Sequence, residues 1–173
     1  MLEARIENAL NDQIAMECTA SFVYLSMANW CEQEGLGGCA QFLYIHSEEE
    51  RNHMLKLIHY INSVDGKAVI PQIQTIKNSW DGIRALLEEV YEHEKKVTAS
   101  IHEIVGISQE IKDFRTQNFL QWYVDEQLEE ETLVKDILDT VRLIGNGPQS
   151  LYYINKELEK RCNAEEAEAE AEA

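Results

Sequence analysis

The sequence predicts an all-α protein: an antiparallel four-helix bundle with one long crossover between helices two and three and a short fifth C-terminal helix. Three observations lead there. Only two prolines and eight glycines interrupt 173 residues rich in Leu, Ile and Glu, a composition that favours long helices over strands. Apolar residues recur at alternating three- and four-residue spacing through four long segments, the pattern of a bundle interior. The connections between those segments run short, long, short. A chain of this length is one domain with a sizeable core.

The first helix runs from Leu2 to about Glu34 and stops at Gly35, Gly37 and Gly38, residues that end helices readily. The second runs from about Cys39 to Val64 and stops at Asp65-Gly66. Residues Gly66 to Asn78 include Pro71 and show no helical stripe. The third helix opens at Ser79, a good N-cap, and runs to about Val105 before Gly106. The fourth extends from about Ser108 to Ile144 and meets the breaker Gly145-Asn146-Gly147-Pro148. A short fifth helix covers about Gln149 to Arg161, which closes a bundle domain over residues 1–162. Residues 163–173 form an acidic Ala/Glu tail. Mutual repulsion of Glu165, Glu166, Glu168, Glu170 and Glu172 predicts a mobile segment there.

Short turns after helices one and three make each of those pairs antiparallel. The middle connection spans about 40 Å if extended, roughly the length of a 26-residue helix. It can therefore travel the length of the bundle and leave helices two and three parallel.

With 32 acidic and 15 basic residues the formal net charge is −17. That balance excludes a nucleic-acid partner, whose phosphates need clustered Lys and Arg, and suits a protein that attracts cations. Cys18, Cys31, Cys39 and Cys162 form no Cys-x-x-Cys pair, so neither a zinc ribbon nor a rubredoxin-type iron site is readable. They read as small apolar residues in a reducing compartment. Residues Met1 to Leu10 mix Glu and Arg with apolar positions. The expectation is no signal peptide, no membrane partner and a cytoplasmic location.

Each stripe is interrupted near its middle. Helix one reads Ile6, Leu10, Gln13, Glu17, Ala20, Tyr24, and helix two Leu43, His46, Glu50, His53, Leu57. Helix three reads Leu87, Val90, Glu94, Val97, and helix four Leu120, Tyr123, Gln127, Glu130, Val134. A buried unpaired carboxylate costs several kcal/mol or more, so it is neutralised, paired or bound to a cation. No Lys or Arg lies in the central part of these seams, and multivalent cations neutralise four Glu residues more completely than protons do. The stripes therefore predict a metal site.

Spacing supports this independently. Glu17 and Glu94, Glu50 and Gln127, and His53 and Glu130 are each 77 residues apart, and the same offset superposes Glu49 on Glu126. Two helical hairpins related by a pseudo-twofold axis would bring these residues together. One Glu from each of two helices plus an i, i+3 pair from each of the others is the layout of a carboxylate-bridged dimetal site. Here Gln127-x-x-Glu130 departs from Glu50-x-x-His53, which predicts two unequal metal positions. An oxygen-rich set with one imidazole favours iron or manganese over copper. Glu50 is the bridging candidate, His53 and Glu17 serve one metal, and Glu94 and Glu130 complete the other. Gln127 reads as a weak ligand or as a hydrogen-bond partner for bound water or peroxide. Tyr24 lies two turns beyond Glu17, within reach to hydrogen-bond the cluster or donate an electron. His46 reads as a satisfied interior histidine, and His59, His93 and His102 have no assigned role. Trp30, Trp80 and Trp122 read as core or subunit contacts.

The run Glu49-Glu50-Arg51-Asn52-His53, with Glu17, Tyr24 and Glu94, resembles the ferroxidase centre of ferritins. The segment Phe119 to Glu131 is similar to the fourth helix of bacterial non-haem ferritins in particular. The resemblance covers about residues 2 to 161. It implies a ferritin-like homo-oligomer, a hollow shell of 24 subunits that oxidises Fe²⁺ with O₂ or H₂O₂ and stores hydrated ferric oxide. It also implies a third iron position carried onto Glu49, Glu126, Glu129 and shared Glu130. Bacterioferritins would place His at Glu130 and a haem-ligating Met at Asn52, so no haem is expected. Two other functions compete: a rubrerythrin-like dimetal peroxidase or oxygenase, and a non-catalytic acidic bundle that buffers cations. The first would want a second Glu-x-x-His and a Cys-x-x-Cys module, which the sequence lacks.

Overall fold

A computed structural model describes residues 2–145 and 147–172. Among them are five helices and no strand: α1 (Ala4–Gln33), α2 (Gly37–Ser63), α3 (Ile83–Glu110), α4 (Phe114–Ile144) and α5 (Pro148–Glu172). None is long and apolar enough to cross a membrane.

Local chemistry sets several of the boundaries. The Glu3 carboxylate accepts from the backbone N–H of Arg5 and Ile6 and caps α1, satisfying donors that the first turn leaves unpaired. Gly35 takes φ +76° just past the end of α1, the left-handed conformation that glycine adopts without a Cβ penalty. Asp113 accepts from Thr116 N at 3.2 Å and Thr116 Oγ1 at 2.6 Å, so it caps α4.

Three boundaries depart from the sequence expectation. The turn expected at Gly106 lies instead at residues 111–113, where Lys112 adopts φ +59° and Asp113 N donates to Ser108 O at 2.8 Å. Gly106 sits inside α3, a position that costs about 1 kcal/mol relative to Ala and that packing overrides. Ser79 does not start α3, because the chain stays extended to Gly82 (φ +107°). Trp80 is held in that segment by its indole N–H to Glu89 Oε2 at 3.0 Å and by edge contact with Trp30. Finally, α5 runs past Arg161 to Glu172, as the high helix propensity of Ala and Glu favours. The expected mobility of residues 163–173 concerns side chains mostly outside those described, as are Ala173 and Asn146 of the expected breaker.

Pairwise contacts give the topology. Ser21 and Ser47 exchange hydroxyl-to-carbonyl hydrogen bonds between α1 and α2. Tyr24 meets Glu94, while Arg5, nearer the start of α1, meets Glu110 near the end of α3. Thus α3 opposes α1 and runs parallel to α2. The crossover between α2 and α3 lies along α1: Asn11 bonds the backbone of Lys67 and Val69, and Ser26 donates to Lys77 O. Those anchors on α1 are about 22 Å apart at 1.5 Å per residue, about half the length of the bundle helices.

The apolar core is in two parts. One contains Leu10, Ile14, Leu57, Val97, Leu120 and Tyr123. The other contains Ala20, Met27, Leu43, Val90, Val134 and the buried face of α5. Between them, on every long helix, lie the polar residues that interrupt the stripes.

The N-terminus of α2 has no side-chain cap of its own. Asn155 on α5 supplies one, its Oδ1 accepting from Gly38 N at 2.8 Å and Cys39 N at 3.1 Å. A Cβ on Gly38 would lie 1.9 Å from Asn155 O and 2.9 Å from Glu159 Cβ, so only glycine lets α5 approach this closely. Asn155→Ala is expected to cost about 1 kcal/mol. Gly38→Ala is expected to cost more, roughly 2–3 kcal/mol, by pushing α5 away. Denaturant unfolding of the two variants measures the order.

Candidate metal centre

The α-helical period puts Glu17, Glu50, Glu94 and Gln127 at one level, with His53 and Glu130 a turn further along their helices. All six are buried, with Glu17 fully enclosed and Glu130 most exposed at 9%. The structure divides them by their contacts. Glu17, Glu50 and His53 each offer one ligand atom within 4.8 Å of the others. Glu17 Oε1 accepts from Gln13 Nε2 at 2.8 Å, which orients that carboxyl. Glu17 Oε2, Glu50 Oε2 and His53 Nδ1 are buried with no hydrogen-bond partner, and His53 Nδ1 lies 3.7 Å from Glu50 Oε2. Unsatisfied polar atoms on three neighbouring core residues are destabilising, and the two carboxyls relieve this only by sharing a proton between Glu17 and Glu50. A cation bound among them satisfies all three.

Glu94 is held differently. Its carboxylate accepts from the Tyr24 hydroxyl on one oxygen and from Gln127 Nε2 at 3.1 Å on the other. His93 Nδ1 lies 3.3 Å from the same Tyr24 hydroxyl. Glu130 turns toward α2, with Oε2 3.7 Å from His46 Nδ1. His46, Glu49 and Glu130 form a second group whose ligand atoms all lie within 4.8 Å of one another, and His46 Nδ1 is 2.7 Å from Glu49 Oε2. Glu126 sits at the edge, its Oε1 3.5 Å from His53 Nε2. Glu129 is exposed and joins neither group.

Aromatic residues wall the centre. The His53 ring meets Trp122 and Tyr123 edge-on at 5.3 and 6.2 Å, and Tyr123 donates to the His53 carbonyl at 2.8 Å. Lys56 Nζ lies 3.2 Å from the centre of the Trp122 ring, a cation–π contact that covers this side. The sequence reading missed His46 as a member of a ligand group and His93 as a partner of Tyr24. Its stripe position offered a signal for His46, and the acidic neighbour three residues on completed it. His93 lies off the seam, so only the packed neighbour Tyr24 reveals it. Trp122 also lies closer to the centre than a general core or subunit contact would.

Burial pushes the Glu17 and Glu50 carboxyls well above their ordinary range; the Glu50 charge adds to the effect at Glu17, and Glu94 and Glu130 add to it at Glu50. Burial raises Glu130 to about 7, against the pull of His46. Glu94 is lowered: burial opposes ionisation there, but hydrogen bonds from His93, Tyr24 and Gln127 together outweigh it. His46 is raised, the Glu49 and Glu130 carboxylates overcoming the effect of burial. Without a counter-ion the layer therefore holds protons on Glu17 and Glu50 that ordinary carboxyls would have lost, and a bound cation would displace them.

A helical bundle divided by a layer of carboxylates and imidazoles defines a class of proteins that take cations into their interior. A family model described as the ferritin-like domain matches residues 7–144, and the chain belongs to the ferritin family. A non-heme ferritin-like protein of Haemophilus influenzae is 42% identical over 158 residues, covering 91% of this chain and 96% of that protein. A bacterial non-heme ferritin of Campylobacter jejuni is 40% identical over 152 residues, covering 88% and 91%. Among solved structures, an open-pore ferritin of Archaeoglobus fulgidus superposes with a TM-score of 0.89 at 38% identity, covering 92% of this chain and 98% of that one.

The raised carboxyls make the metal-free protein pH-sensitive. A carboxyl raised in the folded state stabilises it fully below the unfolded value of 4.5 and loses that contribution as pH rises through the folded value. For Glu130, moved to about 7, the loss amounts to roughly 3 kcal/mol. Calorimetry of the metal-free protein is expected to show a melting temperature that falls between about pH 5 and pH 8. A divalent cation is expected to restore most of that fall, because it binds only the folded, deprotonated layer.

Proposed function

We propose that this protein stores iron and oxidises it, taking Fe²⁺ and O₂ or H₂O₂ as substrates. The observation that carries this reading is the group of orphaned atoms at Glu17, Glu50 and His53, enclosed by apolar core on both sides. In this reading, Fe²⁺ binds first among Glu17, Glu50 and His53. A second Fe²⁺ uses Glu50 with Glu94 and Glu130, once Glu94 loosens from Tyr24 and Gln127. That requirement makes the second position the weaker one. The group His46, Glu49 and Glu130 takes a third cation, with Glu126 and Glu129 as further acidic contacts on the way out.

Hard anionic oxygens stabilise Fe³⁺ more than Fe²⁺, so the ligands that bind also favour oxidation. Two Fe²⁺ give up one electron each: O₂ with two protons becomes H₂O₂, or H₂O₂ with two protons becomes two waters. Each Fe³⁺ then reacts with two waters to give FeO(OH) and three protons. Gln127, which donates to Glu94, orients water or peroxide beside the pair. Tyr24 steadies Glu94 and stands within reach as an electron donor.

Storage requires an enclosed volume, and a homo-oligomeric shell of 24 subunits supplies one. Exposed apolar side chains on α1 and the crossover, Phe22, Leu25, Val69, Ile70 and Ile73, support burial against other copies. Size-exclusion chromatography is expected to give a particle far larger than a dimer; a monomer would remove the storage reading.

Adding Fe²⁺ to the metal-free protein in air is expected to consume oxygen and raise ultraviolet absorbance. Glu50→Ala and His53→Ala are each expected to slow this roughly ten- to a hundredfold. Unchanged rates in both variants would sink the ferroxidase assignment.

A further inference from the structure

A line of aromatic rings leaves the centre at His53. The His53 ring meets Trp122 at 5.3 Å, Trp122 meets Tyr123 at 4.8 Å, and Tyr123 meets Phe119 at 5.6 Å. Phe119 then stacks on Tyr60 at 3.8 Å with the rings nearly parallel. The line ends where a proton can leave. Thr116 Oγ1 donates to Asp113 Oδ2 at 2.6 Å, so its contact with the Tyr60 hydroxyl at 2.8 Å is one in which Tyr60 donates. Asp113 is itself partly exposed. Neither earlier residue offers the same exit. Tyr123 donates to the backbone carbonyl of His53, an acceptor too weakly basic to take its proton. Lys56 Nζ lies 3.2 Å from the centre of the Trp122 ring. An ammonium drawn to an electron-rich ring opposes the removal of an electron from it. An electron vacancy entering the line at Trp122 is therefore disfavoured there and at Tyr123, Phe119 is too hard to oxidise to hold it, and Tyr60 can keep it as a neutral radical.

We propose that Tyr60 is a sink for oxidising equivalents left over at the centre, reached from His53 through Trp122, Tyr123 and Phe119. The inference rests on the oxidation of Fe²⁺ proposed above. A pair of Fe²⁺ supplies both electrons that H₂O₂ takes. A lone Fe²⁺ among Glu17, Glu50 and His53 supplies only one, giving Fe³⁺, hydroxide and a hydroxyl radical. That radical attacks the nearest side chains unless a second electron reaches it. Along the ring line Tyr60 provides the electron, and the hydroxyl radical becomes hydroxide. The Tyr60 proton passes to Thr116 as the Thr116 proton passes to Asp113, which leaves a neutral phenoxyl radical. Tyr60 and Phe119 line an open depression on the surface of the subunit, where a soluble one-electron reductant can return the electron. Tyr24 serves the other half of the layer, since its hydroxyl is joined to Glu94. The ring line is joined to His53, a ligand of the position that fills first.

The test uses the assembled protein, given a single Fe²⁺ per subunit without oxygen, mixed with H₂O₂ and frozen at once for electron paramagnetic resonance. The wild type is expected to show a tyrosyl radical that survives in Tyr24→Phe and is lost in Tyr60→Phe. Hydroxylated Trp122 is expected to accumulate in Tyr60→Phe, read by mass spectrometry of its peptide. Asp113→Asn keeps a side chain able to cap α4 while removing the base, and is expected to lose the same radical. It also stands in for Tyr60→Phe should that variant fail to assemble. No tyrosyl radical in the wild type, or one that persists in Tyr60→Phe or in Asp113→Asn, overturns the sink. The rate at which fully loaded protein oxidises Fe²⁺ is expected to be the same in Tyr60→Phe as in the wild type, because a pair of Fe²⁺ leaves no equivalent over. Wild-type protein that oxidises Fe²⁺ with neither O₂ nor H₂O₂ overturns the ferroxidase reading and the sink together. Normal wild-type oxidation with a radical indifferent to Tyr60→Phe overturns the sink alone.

Discussion

The bundle is arranged around the burial of carboxylates that have no lysine or arginine partner. Glu17, Glu50, Glu94 and Glu130 lie in a layer between two apolar cores. The cores exclude water and make each negative charge costly. They also hold four helices at a separation that lets ligand atoms from different helices converge. Repulsion within the layer is thereby contained by hydrophobic packing at either end.

Not all members of the layer resolve that repulsion in the same way. Glu94 is satisfied within the protein by Tyr24 and Gln127, and its carboxyl is lowered. Glu17 and Glu50 keep oxygens unsatisfied, and theirs are raised. The asymmetry follows from the sequence: helix four carries Gln127 where helix two carries Glu50, and an amide can donate where a carboxylate cannot. One half of the layer therefore keeps unsatisfied ligand atoms, and the other is closed by hydrogen bonds within the protein.

The helix stripes, their polar interruptions and the 77-residue offset were legible because they depend on the 3.6-residue period alone. The long crossover was legible from its length, and the structure lays it along α1. Breaks near Gly106 and Ser79 were misplaced because glycine and serine are only local signals. The actual turn at residues 111–113 depends on the Asp113 cap, and the late start of α3 depends on Trp80 finding Glu89 and Trp30. The contact of His93 was illegible for a related reason: it depends on Tyr24 from another helix, whereas His46 had part of its signal in Glu49 on its own helix. Periodicity can assign a residue to a face, but it cannot say which neighbour takes its hydrogen bond.

Asn155 gives the fifth helix a bearing on the centre that it never touches. Its side chain terminates α2 from outside, and α2 is the helix that carries Glu50 and His53. Gly38 removes the bulk that would hold the two helices apart. The first turn of α2 is thus clasped to α5, and the axial register of its ligands is referenced to a helix at the far end of the bundle. In an assembly where α5 meets other copies, the seating of a neighbour and the spacing of the metal ligands would share one mechanical linkage.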